Sequence, residues 1–117
     1  MTHDMIREIA FKLPHVTEDI KWGNDLCFCI AEKMFCVTGL ENPVKVSLKV
    51  THDDFDALVE RTGFTPAPYL ARNKWVLIDS SAKISRKELS HFIQQSYNLV
   101  KAKLPKKLQE KLKKTAR

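Results

Sequence analysis

Apolar residues at Ile6, Ile9, Ala10 and Leu13 recur every three or four positions, the spacing of one buried helix face. Thr2 precedes them as a cap and Pro14 follows as a stop, so a helix ending near Leu13 is expected. The stretch from His15 to Asn24 reads as irregular, with Trp22-Gly23-Asn24 as turn chemistry. From Leu26 the period changes to two. Leu26, Phe28 and Ile30 alternate with Cys27 and Cys29, and Phe35 and Val37 alternate with Met34, Cys36 and Thr38. This pattern predicts a hairpin closing around Glu32-Lys33. After a turn over Gly39 to Pro43, Val44, Val46, Leu48 and Val50 alternate with Lys45, Ser47 and Lys49, the cleanest strand in the chain.

Thr51 is placed to cap a second helix, with Asp53 and Asp54 in the first turn, where the positive end of the helix dipole favours acids. Phe55, Leu58 and Val59 form its stripe, and Gly63 is a left-handed stop. Pro66 and Pro68 leave room for only a short edge strand near Tyr69-Leu70, and Trp75 to Ile78 is a final strand. Ser85 and Glu88 form a capping box opening the longest helix, with Leu89, Phe92, Ile93, Tyr97, Val100 and Leu104 on its apolar side. Beyond Pro105 the chain either resumes as an amphipathic helix on Leu108 and Leu112 or frays. Consecutive strands joined by short turns make an antiparallel sheet, and the helices must bury their stripes on one of its faces. The fold class expected is α+β with two layers, in the order helix, three strands, helix, one or two strands, helix.

At 117 residues and 44% hydrophobic, the chain supports one core without metal or disulfide staples. A single domain over residues 1–105 with a tail over 106–117 is the expected organisation. No apolar run approaches the ~20 residues of a membrane span. Three cysteines, an odd number, suit a reducing cytoplasm. The positive charge is concentrated at the end. Residues 101–117 carry seven lysines and one arginine against Glu110, a balance of +7 within a total of +6. The first hundred residues, with twelve bases and thirteen acids, are close to neutral. A basic composition therefore argues for nucleic-acid binding by the tail, not by the body.

Several ordered motifs resemble one family. They are Leu13-Pro14-His15-Val16 with Lys21-Trp22-Gly23; Lys33-Met34-Phe35; Val46-Ser47-Leu48-Lys49; Thr65-Pro66-Ala67-Pro68-Tyr69; Lys74-Trp75-Val76; and Ser96-Tyr97-Asn98-Leu99-Val100 leading to Leu104-Pro105-Lys106-Lys107. In this order and spacing they resemble the MmcQ/YjbR family, small bacterial proteins also called double-wing DNA-binding proteins. The resemblance implies a fold like that of type III secretion chaperones, or a frataxin-like sandwich, and DNA binding as an expectation. Glu32 departs from the family pattern, which has a glycine there, and so suggests a hairpin wider than a two-residue turn.

Candidate chemistry is sparse. Cys27, Cys29 and Cys36, if they shared one sheet face, could hold a zinc ion. Their spacing is that of strand alternation and no histidine follows at ligand distance, so packing as small hydrophobes is the plainer account. His3, His15, His52 and His91 are scattered, there is no glycine-rich phosphate loop, and no nucleophile pattern surrounds Ser80-Ser81. No enzyme, no metal and no cofactor are expected. The candidate nucleic-acid contacts are Trp22, Lys33, Lys49, Arg72, Lys74 and Trp75 at strand ends and loops, where aromatics and cations mix as in base-stacking surfaces. Lys103, Lys106, Lys107, Lys111, Lys113 and Lys114 of the tail add weak, electrostatic contacts. The competing account leaves the tryptophans as packing and uses the open sheet face, expected to carry Lys45, Ser47, Lys49 and the three cysteines, to bind a protein partner or a second copy.

Overall fold

A computed structural model describes residues 1–114. The Thr2 hydroxyl accepts from the Met5 amide and opens α1 (His3–Phe11), which buries Ile6, Ile9 and Ala10. The helix ends two residues before Leu13, which Pro14 disfavours as helix. The next segment is β1 (Val16–Lys21), not irregular chain. Its residues alternate poorly because it is an edge strand: Glu18 takes the helix side only by accepting two hydrogen bonds from Arg7, and Ile20 stays exposed. β2 (Asp25–Ile30), β3 (Lys33–Gly39) and β4 (Val46–Lys49) follow, then α2 (His52–Leu58), β5 (Phe64–Pro66), β6 (Trp75–Ile78), α3 (Arg86–Ala102) and α4 (Lys106–Lys114). The short β5 lies at Phe64–Pro66, earlier than the expected position near Tyr69, which instead falls in a turn.

The strands form one antiparallel sheet in the order β1-β2-β3-β4-β6-β5. Helix stripes and one sheet face make a single core containing Ile6, Phe28, Phe35, Leu48, Ile78 and Ile93, all buried. The β4 register is as the alternation predicts. Val44, Val46, Leu48 and Val50 are buried, whereas Ser47 pairs with Val37 and Leu77 on the opposite face. The caps predicted at Thr51 and Ser85 are formed, accepting from the amides of Asp54 and Glu88. Glu88 also receives both guanidinium nitrogens of Arg61, which lies over the Phe64 ring, and this joins α3 to the loop after α2. Gly63, at φ +87°, is the left-handed residue after α2; a Cβ there would collide with the Ala82 backbone.

The β2–β3 hairpin differs from its sequence reading by one residue. Ile30 pairs with Lys33, so the turn is Ala31-Glu32, both left-handed at φ 49° and 68°. A two-residue turn with this backbone matches the strand twist, and Glu32 adopts the conformation a glycine would take more cheaply. A bulge follows. Cys29 pairs with Met34 but Phe28 pairs with Cys36, which leaves Phe35 as the extra residue. The bulge shifts the alternation, so Phe35 and Cys36 both enter the helix-side core. Cys36 therefore does not share a face with Cys27 and Cys29.

Beyond the Cys36–Leu48 pair the β3–β4 ladder is interrupted, and Ser96 of α3 takes the place of the next rung. Its buried hydroxyl donates to the Phe35 carbonyl and accepts from the Lys49 amide at 2.9 Å. Both backbone groups lose their partner if the hydroxyl is removed. Ser96→Ala should lower stability by about 2–4 kcal/mol, the cost of two orphaned buried polar groups. Urea unfolding would read this, and a loss under about 0.5 kcal/mol would mean the rung is replaceable by water.

Candidate nucleic-acid interface

The antiparallel register sorts the predicted residues between two ends of the sheet. At one end lie Lys33 after the hairpin turn, Lys49 at the close of β4, Trp75 paired with it, and Lys74 and Arg72 just ahead. α3 also finishes at this end, where the Tyr97 hydroxyl donates to the Pro14 carbonyl at 2.7 Å. Trp22 lies at the other end, after Lys21, which pairs with Asp25 and through it neighbours Gly39. Trp22 therefore does not belong with the lysines.

Trp75 is only 5% exposed and its ring cannot stack on a base. The packing account holds for it. Lys74, left-handed at φ 63°, places its ammonium 4.8 Å from the centre of the Phe55 ring, a cation–π contact with α2. Arg72 and Lys33 are exposed. Lys12, exposed after α1, and Lys101, whose ammonium lies 5.7 Å from the Tyr97 ring centre, reach the same end without having been singled out among the contacts. For Lys12 the sequence held no signal, since only the fold brings the end of α1 near the end of α3.

Lys49 is the unusual cation. Burial first, and then the neighbouring Lys103, push its ammonium below its ordinary pKa. The ion pairs formed among the described residues are Arg7–Glu18, Arg61–Glu88 and Arg86–Glu8, and none includes either lysine. Two ammonium groups held side by side favour an anion between them. Glu32 lies at the hairpin turn, and Asp53 and Asp54 lie in the first turn of α2, where Asp54 accepts from the Gln95 amide.

The tail continues this surface as a helix. Leu108 and Leu112 pack against the core, and the Gln109 amide donates to the carbonyls of Leu104 (2.7 Å) and Ala102 (3.3 Å), groups that the end of α3 leaves unpaired. α4 is thereby docked with Lys106, Lys107, Lys111, Lys113 and Lys114 exposed.

The open face of the sheet carries a second feature that the sequence did not reveal. A cleft of about 650 Å³ has Met34, Val37, Ser47 and Leu77 as its floor, with Trp22 on one wall and Tyr69 on the other.

The three cysteines are buried and unpaired. Burial, and then the adjacent Cys29, push the Cys27 thiol up to about 11, and burial likewise raises Cys29 and Cys36. Neutral thiols of this kind are poor nucleophiles. Among the described residues no group of three or more His, Cys, Asp or Glu is placed to hold a metal. A thiol pKa raised by folding stabilises the protein fully below the unfolded value of about 8.5. That contribution fades as pH rises through the folded value of about 11 for Cys27. Stability should hold from pH 7 to 8 and fall between pH 9 and 11 in the direction of thiolate release. Replacing Cys27 and Cys29 by alanine should flatten that decline in a pH series of thermal unfolding, and an unchanged slope would assign it to other groups.

No helix among the described residues is long and apolar enough to cross a membrane. Among curated proteins nothing matches the chain. Crystal structures that share the fold include two that cover most of this chain. One is a Deinococcus radiodurans protein of the DUF419 domain type, with a TM-score of 0.87 and 24% identity over 96% of this chain and 88% of that one. The other is a Pseudomonas syringae protein, with a TM-score of 0.70 and 18% identity over 85% of this chain and 98% of that one. The YjbR family model matches residues 11–99, most of the chain and all but the last of the recognised motifs, and the protein belongs to the YjbR family.

Proposed function

We propose that this protein is a non-catalytic binding protein of a reducing, cytoplasmic compartment that holds nucleic acid weakly and without sequence preference. The surface is the basic end of the sheet continued by α4. The observation that carries the reading is the Lys49–Lys103 pair, two cations kept together without an ion pair to a carboxylate among the described residues, beside the docked lysine helix. A phosphate between the two ammonium groups relieves their repulsion. Exposed lysines on successive turns of α4 suit a row of further phosphates. With Trp75 buried and Trp22 remote, neither of the two predicted tryptophans stacks on bases at this end, and the contacts proposed go to the backbone. Duplex should be bound as well as single strand.

A second reading, a protein-interaction or homodimeric module, is favoured by the cleft on the open face and uses a separate surface.

Replacing Lys106, Lys107, Lys111, Lys113 and Lys114 by glutamine keeps Leu108, Leu112 and Gln109 and leaves the helix docked. Fluorescence anisotropy with a random duplex should show affinity falling about tenfold or more at low salt, with the salt slope flattened by several units. Lys49→Gln with Lys103→Gln should weaken binding further. An undiminished affinity in the α4 variant would remove the tail from the interface. Absence of binding by the intact protein at about 50 mM salt sinks the nucleic-acid reading altogether.

A further inference from the structure

We propose that the cleft on the open sheet face binds a small organic cation, an amine or quaternary ammonium carried on an apolar body of roughly one ring. The inference rests on the second reading only for its surface and is independent of nucleic-acid binding.

Backbone strain is the first argument. Tyr69 is the third residue of a turn in which the Leu70 amide donates to the Ala67 carbonyl at 3.2 Å, and Pro68 precedes it. With φ at 65°, Tyr69 occupies the position that such a turn normally gives to glycine. On the facing wall Trp22 is left-handed at φ 54°. Bulky residues rarely adopt this conformation, which costs about 1–2 kcal/mol. Neither ring recovers the cost by packing, since Trp22 is 71% and Tyr69 103% exposed. Two strained, solvent-facing aromatics on opposite walls of one cleft are rings presented to something outside the chain.

Charge selects the class of ligand. The charged lining groups are Asp25, Glu41 and Lys45. Lys45 also acts on Asp79, whose carboxyl is held low first by the Ser81 hydroxyl and amide and then by this lysine. Glu41 accepts only the Asn24 amide, at 3.3 Å, and neither it nor Asp25 forms an ion pair among the described residues, although Lys21 stands across the strands from Asp25. Aromatic faces with two carboxylates attract a cation. The apolar floor of Met34, Val37 and Leu77 attracts the body that carries it. A volume of about 650 Å³ falls in the range of small-molecule sites.

The probe is benzyltrimethylammonium, with phenylacetate as the anionic counterpart, followed by the indole N–H resonances of the intact protein. Trp22 should shift and saturate while the buried Trp75 stays still. Phenylacetate should bind about fivefold or more weakly, and Asp25→Asn with Glu41→Gln should remove that preference. Tyr69→Gly should weaken binding while keeping or raising the thermal midpoint, because glycine relieves the turn. No saturation by about 10 mM overturns the proposal. Equal affinity for phenylacetate, or undiminished binding in the carboxylate variant, overturns it as well. So does a dimer by sedimentation that Tyr69→Gly dissolves, which would give the cleft to a second copy. Each of these outcomes leaves the duplex-binding experiment unaffected.

Discussion

One buried hydroxyl ties the helix layer to the sheet. Ser96 completes the ladder where the bulge at Phe35 leaves β3 and β4 without a direct rung, and it can do so only if α3 lies across that gap. The seat fixes the rest of α3 by helix geometry. Lys103 follows seven residues later, about 10 Å along the axis. That distance brings its ammonium to Lys49, whose own amide is held by Ser96. The same bulge turns Cys36 inward, so the thiols divide between the two faces of the sheet. A basic surface and the absence of a three-thiol cluster thus share one cause.

The motifs behind the family resemblance divide in the same way. Ser96 bonds into Lys33-Met34-Phe35 on one side and Val46-Ser47-Leu48-Lys49 on the other, and Tyr97 bonds to Leu13-Pro14. Trp75 holds its neighbouring segment by accepting from the Ala67 amide. These residues maintain a scaffold. Trp22 and Tyr69, from two further motifs, support nothing visible in the fold, and their backbones are strained instead.

Much of the fold was legible in the sequence because its cues are local. Alternation from Val44 to Val50 set the β4 register, and Thr2, Thr51 and Ser85 marked helix starts that the structure retains. The bulge was not legible. It depends on Ser96, distant in the chain, and nothing near Phe35 announces it. The basic end was half legible: the lysines could be counted, but only the register separates Trp22 from them and buries Trp75. The cleft was invisible, since aromatics in left-handed turns have no sequence signature other than the absence of the expected glycine.

The one strand missed in the sequence has a further meaning. β1 reads Val-Thr-Glu-Asp-Ile-Lys and lies at one margin of the sheet; β5, with Pro66, lies at the other. A margin offers unpaired amides and carbonyls to any passing strand, the usual route to sheet-to-sheet aggregation. At one margin Glu18, Asp19 and Lys21 make that addition unfavourable by charge; at the other, shortness and a proline without an N–H do so. The polarity that hides β1 from a search for alternating hydrophobes is the same property that discourages the sheet from growing in solution.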